Sequence, residues 1–398
     1  MNYTDWKQVR LVDLALINAK SISGKYPYEE IEYIDTSSVT GNEFSPLQRL
    51  KLIDAPSRAK RIVQHGDTII STVRPIQRHF GFIRNPKANT IASTGFAVIT
   101  PRSVNPEFLY YYLSQDSITN YLNGIAETST TTFPAFRPEV LSELEILIPE
   151  DENTQRRIAE ILSALDDKIE LNRQTNATLE AIAQAIFKEW FVNFNFPGAT
   201  GELVESELGM IPKGWKILPM DKIADFLNGL ALQKYPAENE YDYLPAIKIR
   251  EMKNGISNSS DKVSKNLPAK YIVHDGDLLF SWSGTLEIIF WVGGDGALNQ
   301  HLFKVTSNNY PIWFCYFWIL QYIDKFKGIV EDKKTTMGHI QRHHISEALC
   351  LIPDKLDEID EVMNPIIEKI INNQKEVILL TKIRDALLPK LMNGEIEV

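Results

Sequence analysis

Arginine, asparagine, glutamine, serine, threonine and histidine side chains cluster in two regions of the chain, and these are the residue types that read DNA base edges. Arginine contacts guanine, and Asn or Gln contacts adenine, through two hydrogen bonds. The N-terminal cluster consists of Ser71, Thr72, Arg74, Gln77 and Arg78. The C-terminal cluster consists of Ser281, Trp282, Ser283, Asn299, Gln300, His301, His339, Gln341 and Arg342. The clusters predict base contacts from two parts of the chain, made by different residues in each.

Basic residues are concentrated in the same two regions. Residues 47–87 carry nine basic and two acidic side chains, and residues 245–270 carry six basic and two acidic ones. A run of charged residues is more often a solvated face than a binding site. Because two such patches lie in corresponding halves of the chain, we give equal weight to a solvated face and to a phosphate-binding surface. The DNA-contacting lysines and arginines that this hypothesis singles out are Arg58, Lys60, Lys248, Arg250 and Lys334.

Length and composition indicate an ordinary globular protein rather than a basic nucleic-acid tail. The chain has 398 residues, 44% apolar and 24% charged, which is enough for two or three domains with their own cores. Its formal net charge is −10, and residues 151–195 and 354–398 supply seven of those ten negative charges. Any positive surface must therefore be local.

The cysteine content and the apolar runs predict a cytoplasmic protein without a membrane span. Cys315 and Cys350 are too few for a disulfide framework or a thiolate zinc site. The polar stretch Met1 to Arg10 lacks the apolar core of a signal peptide. The longest apolar run, Ile312 to Leu320, is about half of what a bilayer requires.

The sequence offers no convincing catalytic motif, which predicts that the chain has no catalytic residues and no metal. A phosphate-binding loop, an Asn-Pro-Pro-aromatic methyltransferase motif and a Gly-x-Ser-x-Gly turn are all missing. Glu331-Asp332-Lys333 fits half of a nuclease motif, but no Pro-Asp pair precedes it at a suitable distance. His339 and His343 share a helical spacing without an evident third ligand.

An internal repeat organises the chain. Five landmarks recur in the same order at offsets that drift from 210 to about 200 residues, as loop insertions would produce. The pairs are Trp6-Lys7 and Trp215-Lys216, Gly66-Asp67 and Gly276-Asp277, Asn105-Pro106 and Tyr310-Pro311, Thr131-Thr132 and Thr335-Thr336, and Ile148-Pro149 and Ile352-Pro353. The chain is therefore predicted to consist of two homologous globular units, each followed by a long helix.

These landmarks give the predicted domain boundaries. We expect mixed α/β domains at residues 1–150 and 196–353, with an exposed Gly- and Pro-rich linker at 196–215. Helices are expected at 151–195 and 354–398. Short β-rich runs without regular βα alternation indicate an α+β fold rather than a doubly wound sheet.

Both helical segments show the alternating spacing of four and three residues that is typical of a coiled-coil seam. The first seam is Ile158, Leu162, Leu165, Ile169, Asn172, Asn176, Leu179, Ala183, Ile186 and Trp190. The second seam is Ile359, Met363, Ile366, Ile370, Asn373, Val377, Leu380, Arg384, Leu387 and Leu391. Each seam is too narrow to be stable alone in water, so each helix requires a partner.

Two arrangements of these helices remain open. They could pack on their own domains or form a homodimeric coiled coil. The arrangement that we favour is that they pair with each other as antiparallel helices, and the intervening domain leaves ample chain for that return. The first helix would be about 50 Å long at 1.5 Å per residue, so such a pair could hold two domains one or more DNA turns apart.

The chain resembles the specificity (S) subunit of Type I restriction-modification enzymes, over essentially its whole length. The stretches that carry the resemblance are 276–284 (GDLLFSWSG), 298–303 (LNQHLF), 335–340 (TTMGHI) and 187–191 (FKEWF). The first domain departs more from the family, with Ser71-Thr72-Val73-Arg74-Pro75 in place of Ser281-Trp282-Ser283-Gly284.

The resemblance implies two target-recognition domains that each bind one half of a bipartite double-stranded DNA site. It implies that the paired helices act as a spacer and dock two modification (methyltransferase) subunits, with restriction subunits joining the complex. Adenine flipping and methyl transfer would belong to the modification subunits. No cofactor is expected on this chain; S-adenosylmethionine, ATP and Mg are expected on the partners, in a host-defence system.

Two other functions stay open at this stage. The chain could be a protein scaffold joined by its coiled-coil helices, in which case the assembled complex would not bind DNA. It could also be a nuclease or methyltransferase with an unrecognised motif, in which case the purified chain alone would turn over DNA.

Overall fold

The computed structural model describes residues 6–24, 26–129, 133–331 and 338–398 of the chain. Two compact units are formed, the first by Met1–Lys168 with Leu380–Val398 and the second by Ile169–Leu379. Each unit mixes helices and sheets, which confirms the predicted α+β class with two repeated domains. The predicted boundaries at residues 150, 196 and 353 stay predictions.

The first unit contains short strands and helices before its long helix. Its strands are β1 (Trp6–Arg10), β2 (Ala15–Ile17), β3 (Glu30–Ile34), β4 (Val39–Thr40), β5 (Glu43–Phe44), β6 (Gln48–Lys51), β7 (Ala59–Ile62), β8 (Thr68–Ser71), β9 (Phe80–Phe82), β10 (Thr90–Ser93), β11 (Phe96–Pro101) and β12 (Glu145–Pro149). Its helices are α1 (Leu11–Leu14), α2 (Pro106–Ser114), α3 (Asp116–Glu127), α4 (Glu139–Ser142) and the start of α5 (Glu152–Phe187).

The second unit has a similar order of elements, with an additional hairpin at its start and an additional helix between two of its strands. Its strands are β13 (Leu203–Ser206), β14 (Gly209–Pro212), β15 (Lys216–Pro219), β16 (Asp225–Asn228), β17 (Leu244–Ile247), β18 (Lys262–Val263), β19 (Ile272–Val273), β20 (Leu278–Ser281), β21 (Ile288–Phe290), β22 (Gly296–Leu298), β23 (Leu302–Thr306) and β24 (Leu349–Ile352). Its helices are α6 (Met220–Ile223), α7 (Ile249–Asn254), α8 (Ile312–Glu331), α9 (Arg342–Ser346) and most of α10 (Asp357–Met392).

The two four-stranded sheets have the same topology in both units. The first unit has the orders β2-β11-β8-β9 and β6-β3-β10-β7, and the second has β16-β23-β20-β21 and β18-β17-β22-β19. In each unit the second of these sheets contains one parallel pair, β3 with β10 and β17 with β22. The terminal ladders β1-β12 and β15-β24 correspond as well. The internal repeat predicted from the sequence is therefore a repeat of the fold.

The glycine-aspartate landmark forms the same turn in both units. Gly66 and Gly276 have φ values of +89° and +93°, a left-handed backbone that glycine adopts at little cost. The next residue closes each turn, because Asp67 accepts a hydrogen bond from the amide of Gln64 and Asp277 accepts one from His274. Each turn leads directly into a fully buried strand, β8 or β20.

The helical region that follows the central strands differs between the units. In the first unit α2 ends at Ser114 and α3 starts at Asp116, because Gln115 between them is extended (φ −61°, ψ 147°). Ser and Asp compete with the backbone for hydrogen bonds and favour helix ends. In the second unit α8 runs unbroken over the corresponding region and buries Trp313, Phe314 and Trp318.

Helices α5 and α10 pair in antiparallel fashion within the second unit. Asn172 Nδ2 donates to Glu376 Oε2 at 2.8 Å, and four residues later Asn176 Nδ2 donates to the Ile370 carbonyl at 3.0 Å. Asn373 Nδ2 completes the layer by donating to Asn176 Oδ1 at 2.8 Å. Because buried amides must be satisfied, this layer fixes the register of the pair.

The first unit contains the other end of each long helix. Ile158 and Leu162 of α5 pack in one core cluster with Leu391 of α10. A partly buried ion pair joins Arg384 to Asp166, with Nη1 and Oδ1 2.8 Å apart. The predicted seam residues of both helices are buried or half-buried, as a paired arrangement requires.

Removing the Arg384 side chain is expected to destabilise the first unit by about 2 kcal/mol. Asp166 would keep a largely buried carboxylate, and among the described residues its remaining partner would be the Tyr111 hydroxyl. Urea unfolding of Arg384→Ala measures this loss. Arg156→Ala is the matched control, since its pair with Glu160 is exposed and should contribute less than about 0.5 kcal/mol. Equal stability of the two variants would contradict the assignment of a structural role to this ion pair.

Two features of the described residues bear on the predictions about membranes and metals. None of their helices combines the length and the apolar character that a bilayer crossing requires. They also contain no group of three or more His, Cys, Asp or Glu side chains placed to hold a metal ion. Predictions that concern Thr131, Thr132 and residues 332–337 lie outside the described part of the chain.

Candidate nucleic-acid interface

Three segments that are distant in sequence meet beside the end of β20 in the second unit. The Trp282 amide donates to the His301 carbonyl at 3.3 Å, and the Ile340 amide donates to the Trp282 carbonyl at 2.8 Å. An antiparallel bridge joins Ser283 to His339. The predicted readers from around 282, 300 and 339 are therefore brought together, although nearly 60 residues separate the first from the last.

Side chains in this cluster hold one another in place. Trp282 Nε1 donates to the Gln300 carbonyl at 3.1 Å and to Asn228 Oδ1 at 3.0 Å. Ser283 Oγ lies 3.0 Å from His301 Nδ1, and Gln300 Nε2 lies 3.3 Å from His301 Nε2. A neutral His301 satisfies both contacts if Nδ1–H donates to the serine and Nε2 accepts from the amide. The aromatic faces of this cluster are thus fixed before any ligand arrives.

The first unit builds the same backbone frame with smaller side chains. The Thr72 amide donates to the Gly95 carbonyl at 2.8 Å, the Phe136 amide donates to the Thr72 carbonyl at 3.0 Å, and Val73 bridges Ala135. Thr72, Gly95 and Ala135 thus stand where the second unit has Trp282, His301 and His339. One frame therefore presents two different surfaces.

Several predicted readers are buried and already hydrogen-bonded to their own loops. Ser71 Oγ donates to the Val73 carbonyl at 2.8 Å, and Ser281 Oγ donates to the Thr285 carbonyl at 2.7 Å. Thr72 Oγ1 donates to the Gly95 carbonyl at 3.0 Å, and the mostly buried Asn299 accepts from the His301 amide. These four side chains hold the loops, so we do not retain them as candidates for base contact.

The loop after β8 presents exposed polar residues. Arg74 and Gln77 are exposed, and the Arg74 guanidinium carbon lies 4.4 Å from the centre of the Phe133 ring. Arg78 is half-buried; it pairs with Asp116 and donates to the Ser114 carbonyl at 3.4 Å. Arg74 and Gln77 are therefore available to a ligand, whereas Arg78 fixes the loop.

The basic residues that were predicted to contact DNA differ in whether an acidic side chain already pairs with them. Lys60 is exposed on β7, and Arg58 is exposed with Asp35 3.9 Å away. Lys248 pairs with Asp261. Arg250 donates to the buried carboxylate of Glu251 at 2.7 and 2.9 Å, so a substantial part of its charge compensates that carboxylate.

The remaining predicted readers lie at the start of α9, apart from Lys334, which is outside the described residues. Gln341 and Arg342 are exposed, and the Gln341 amide donates to His344 Nδ1 at 3.1 Å. Sequence reasoning missed Asn228 and Phe133. Phe133 directly follows the Thr131-Thr132 landmark, which could have drawn attention to it, whereas the role of Asn228 depends on the pairing of β16 with β23.

Comparison with known proteins assigns the family. Residues 3–181 and 212–380 each match the family described as Type I restriction modification DNA specificity domain. The chain is similar to the Type I restriction enzyme HindI specificity subunit of Haemophilus influenzae, with 28% identity over 99% of this chain and 100% of that protein. It is also similar to the MjaIX specificity subunit of Methanocaldococcus jannaschii, with 30% identity over 85% of this chain and 79% of that protein.

A solved structure supports the fold. The S subunit of a Type I restriction-modification system from M. genitalium aligns over 98% of this chain and 96% of its own, with a TM-score of 0.57 and 16% identity. At that identity the likeness concerns the fold alone. Because the family matches the chain twice and covers most of its residues, the chain belongs to the family of Type I restriction-modification specificity subunits.

Proposed function

We propose that this chain is the sequence-specific DNA-binding subunit of a Type I restriction-modification complex, with one half of a bipartite target read by each unit. The observation that carries the proposal is the repeated frame with divergent side chains. Equivalent backbone positions carry Thr72 and Ala135 in one unit, but Trp282 and His339 in the other. A frame of this kind binds two DNA segments in the same manner while reading different bases.

Exposed and half-buried members of the clusters are proposed as base readers. Arg74 and Gln77 would read the first half-site, and Trp282, Gln300, His301, Gln341 and Arg342 the second. Arg58, Lys60, Lys248 and Arg250 are proposed to position phosphates, and Lys334 stays a prediction of the same kind. Phosphate contacts supply affinity and register, whereas contacts to base edges supply sequence preference.

Helices α5 and α10 are proposed as the docking surface for two modification subunits. Their seam residues are used for pairing, yet Leu171 and Leu379 on the outside of the pair are more than half exposed. Large exposed apolar side chains on paired helices support a protein interface.

Specificity subunits of this family are non-catalytic, so S-adenosylmethionine, ATP and Mg are proposed to act on partner subunits, with methyl transfer on the modification subunits. Restriction subunits would join through the same complex. A cytoplasmic location remains part of the proposal.

Mapping of methylated adenines across a genome tests this function. Cells that express the modification subunits with this chain should methylate a split motif with a constant gap, and cells without the chain should not. Exchanging the N-terminal target-recognition domain for that of a relative should change only one half of the motif. An undivided motif, or the same methylation pattern without the chain, would rule the proposal out.

A further inference from the structure

An apolar side chain projects from the basic loop of the first unit. Ile76 lies in the one-turn 3₁₀ helix Pro75–Gln77 between β8 and β9, and 57% of its surface is exposed. Its neighbours in the loop, Arg74 and Gln77, are proposed base readers. Single exposed isoleucines are common on protein surfaces. Ile76 differs in its position, because it lies between two proposed base readers in the same turn and would be brought to the base edges with them.

The loop is held in one conformation around Ile76. Arg74 and Arg78, at either end of the turn, have φ values of +49° and +57°, a backbone region that is unfavourable for residues with a Cβ atom. The Gln77 amide donates to the Arg74 carbonyl at 2.9 Å, and the Arg78 amide donates to the Pro75 carbonyl at 2.8 Å. Since Pro75 is buried beneath the turn, Ile76 is left pointing away from the core.

The break between α2 and α3 anchors this conformation from outside the loop. Arg78 pairs with Asp116, the first residue of α3, and donates to the carbonyl of Ser114, the last residue of α2. That carbonyl is available because the final carbonyls of a helix have no intrahelical partner. The break between α2 and α3 therefore provides two contacts that hold the loop containing Ile76 in place.

The surroundings of Ile76 favour DNA over a protein as its ligand. The guanidinium of Arg74, two residues before Ile76, lies 4.4 Å from the centre of the Phe133 ring, so a positive charge already covers one apolar side chain here. Residues 47–87, which include this loop, carry nine basic and two acidic side chains, and a local positive surface attracts the phosphates of DNA. On base edges in the major groove, the apolar group is the C5 methyl of thymine.

We propose that Ile76 contacts the C5 methyl group of one thymine in the half-site read by the first unit. This inference rests on the proposed function and adds a specificity-determining residue to it. The second unit has no equivalent, since its loop after β20 runs through Ser283 and Gly284 to Leu286, which is buried. Dependence on a thymine methyl through this loop is thus confined to one half of the target.

Replacement of thymine by deoxyuridine tests the contact, because it removes the methyl and keeps the base pair. The full chain assembled with its modification subunits is titrated with target duplexes that carry one such replacement at a time. One position in the first half-site should cost the wild type about fourfold in affinity, as expected for one buried methyl group. Ile76→Ala should lose about the same factor on the normal duplex and nothing further at that position.

Ile53→Ala is the matched control, an isoleucine that is 91% exposed on the one-turn helix Leu52–Asp54 of the same unit. It should keep the full wild-type sensitivity to the methyl group. The inference is overturned if no replacement in that half-site affects the wild type, if Ile76→Ala remains sensitive, or if Ile53→Ala is the variant that loses sensitivity.

Two further outcomes separate this inference from the proposed function. Weaker assembly of Ile76→Ala with the modification subunits, together with an unchanged response to deoxyuridine, would make the loop tip a protein contact and refute the methyl contact. A wild-type complex without any preference for its target would refute the proposed function itself, and the methyl contact with it. Site preference without methyl dependence would refute only the inference about Ile76.

Discussion

Lengthening both paired helices by four residues should move the two methylated half-sites apart by one or two base pairs. Insertions after Asn172 in α5 and after Lys375 in α10 would keep the Asn172–Glu376 contact on one side and the Asn176–Asn373 contact on the other. Four residues add about 6 Å to a helix, and one base pair occupies about 3.4 Å of duplex. Methylation of the original motif should be lost and replaced by the same half-sites with a wider gap.

The insertion must be made in both helices because the pair is held by a buried amide layer. Four residues added to α5 alone would shift Asn176 away from the Ile370 carbonyl and from Asn373. An inserted set of four residues is a stutter, which a coiled coil accommodates by local unwinding when both strands carry it. We therefore expect the single insertion to destabilise the chain and the matched insertion to change the gap.

Adding four residues to the linker between Pro197 and Gly201 is the control for chain length. This segment lies outside the helices and is exposed, so the methylated motif should keep its gap. If the matched helix insertion also leaves the gap unchanged, the helices do not set the spacing. The readout is the methylated motif itself, determined by adenine mapping in cells that express each variant.

The sequence predicted the repeat and the helix pairing because both leave periodic signals. The Gly-Asp turns are visible since each requires a glycine with positive φ followed by a carboxylate that closes the turn. The seams are visible because one face of each helix is buried along its length. Such features depend on local spacing, which the sequence displays directly.

Which polar side chains are exposed and which bond to their own loops could not be predicted in the same way. Ser71 and Ser281 have the residue type of a base reader, but their hydroxyls bond to carbonyls of their own loops. Whether a hydroxyl faces inward is decided by tertiary packing. The end of α2 before Gln115 could not be predicted either, because the aromatic residues that precede Gln115 have the spacing of one continuous helix.

Truncation of Arg74 or Arg342 should each relax one half of the recognised motif. Both side chains are exposed and are proposed to read bases, and a bidentate arginine–guanine contact is worth about 1–3 kcal/mol of discrimination. Affinity for the target should fall by roughly tenfold to a hundredfold in each variant. The losses should multiply in the double variant, because the two residues are proposed to read different half-sites.

The substitution Arg74→Lys distinguishes base reading from phosphate binding. Lysine keeps the charge but lacks the planar fork of the guanidinium, so a base contact would be lost and a phosphate contact largely kept. Arg10→Ala, which removes an exposed arginine of β1 that pairs with Asp13 and Glu143, is the control and should bind the target like the wild type. Binding to target and mutated duplexes, measured at several salt concentrations with the assembled complex, provides the readout. Full site preference in both Arg74→Ala and Arg342→Ala would show that the bases are read elsewhere, because an exposed arginine that makes no base contact can be removed without changing which sequence is chosen.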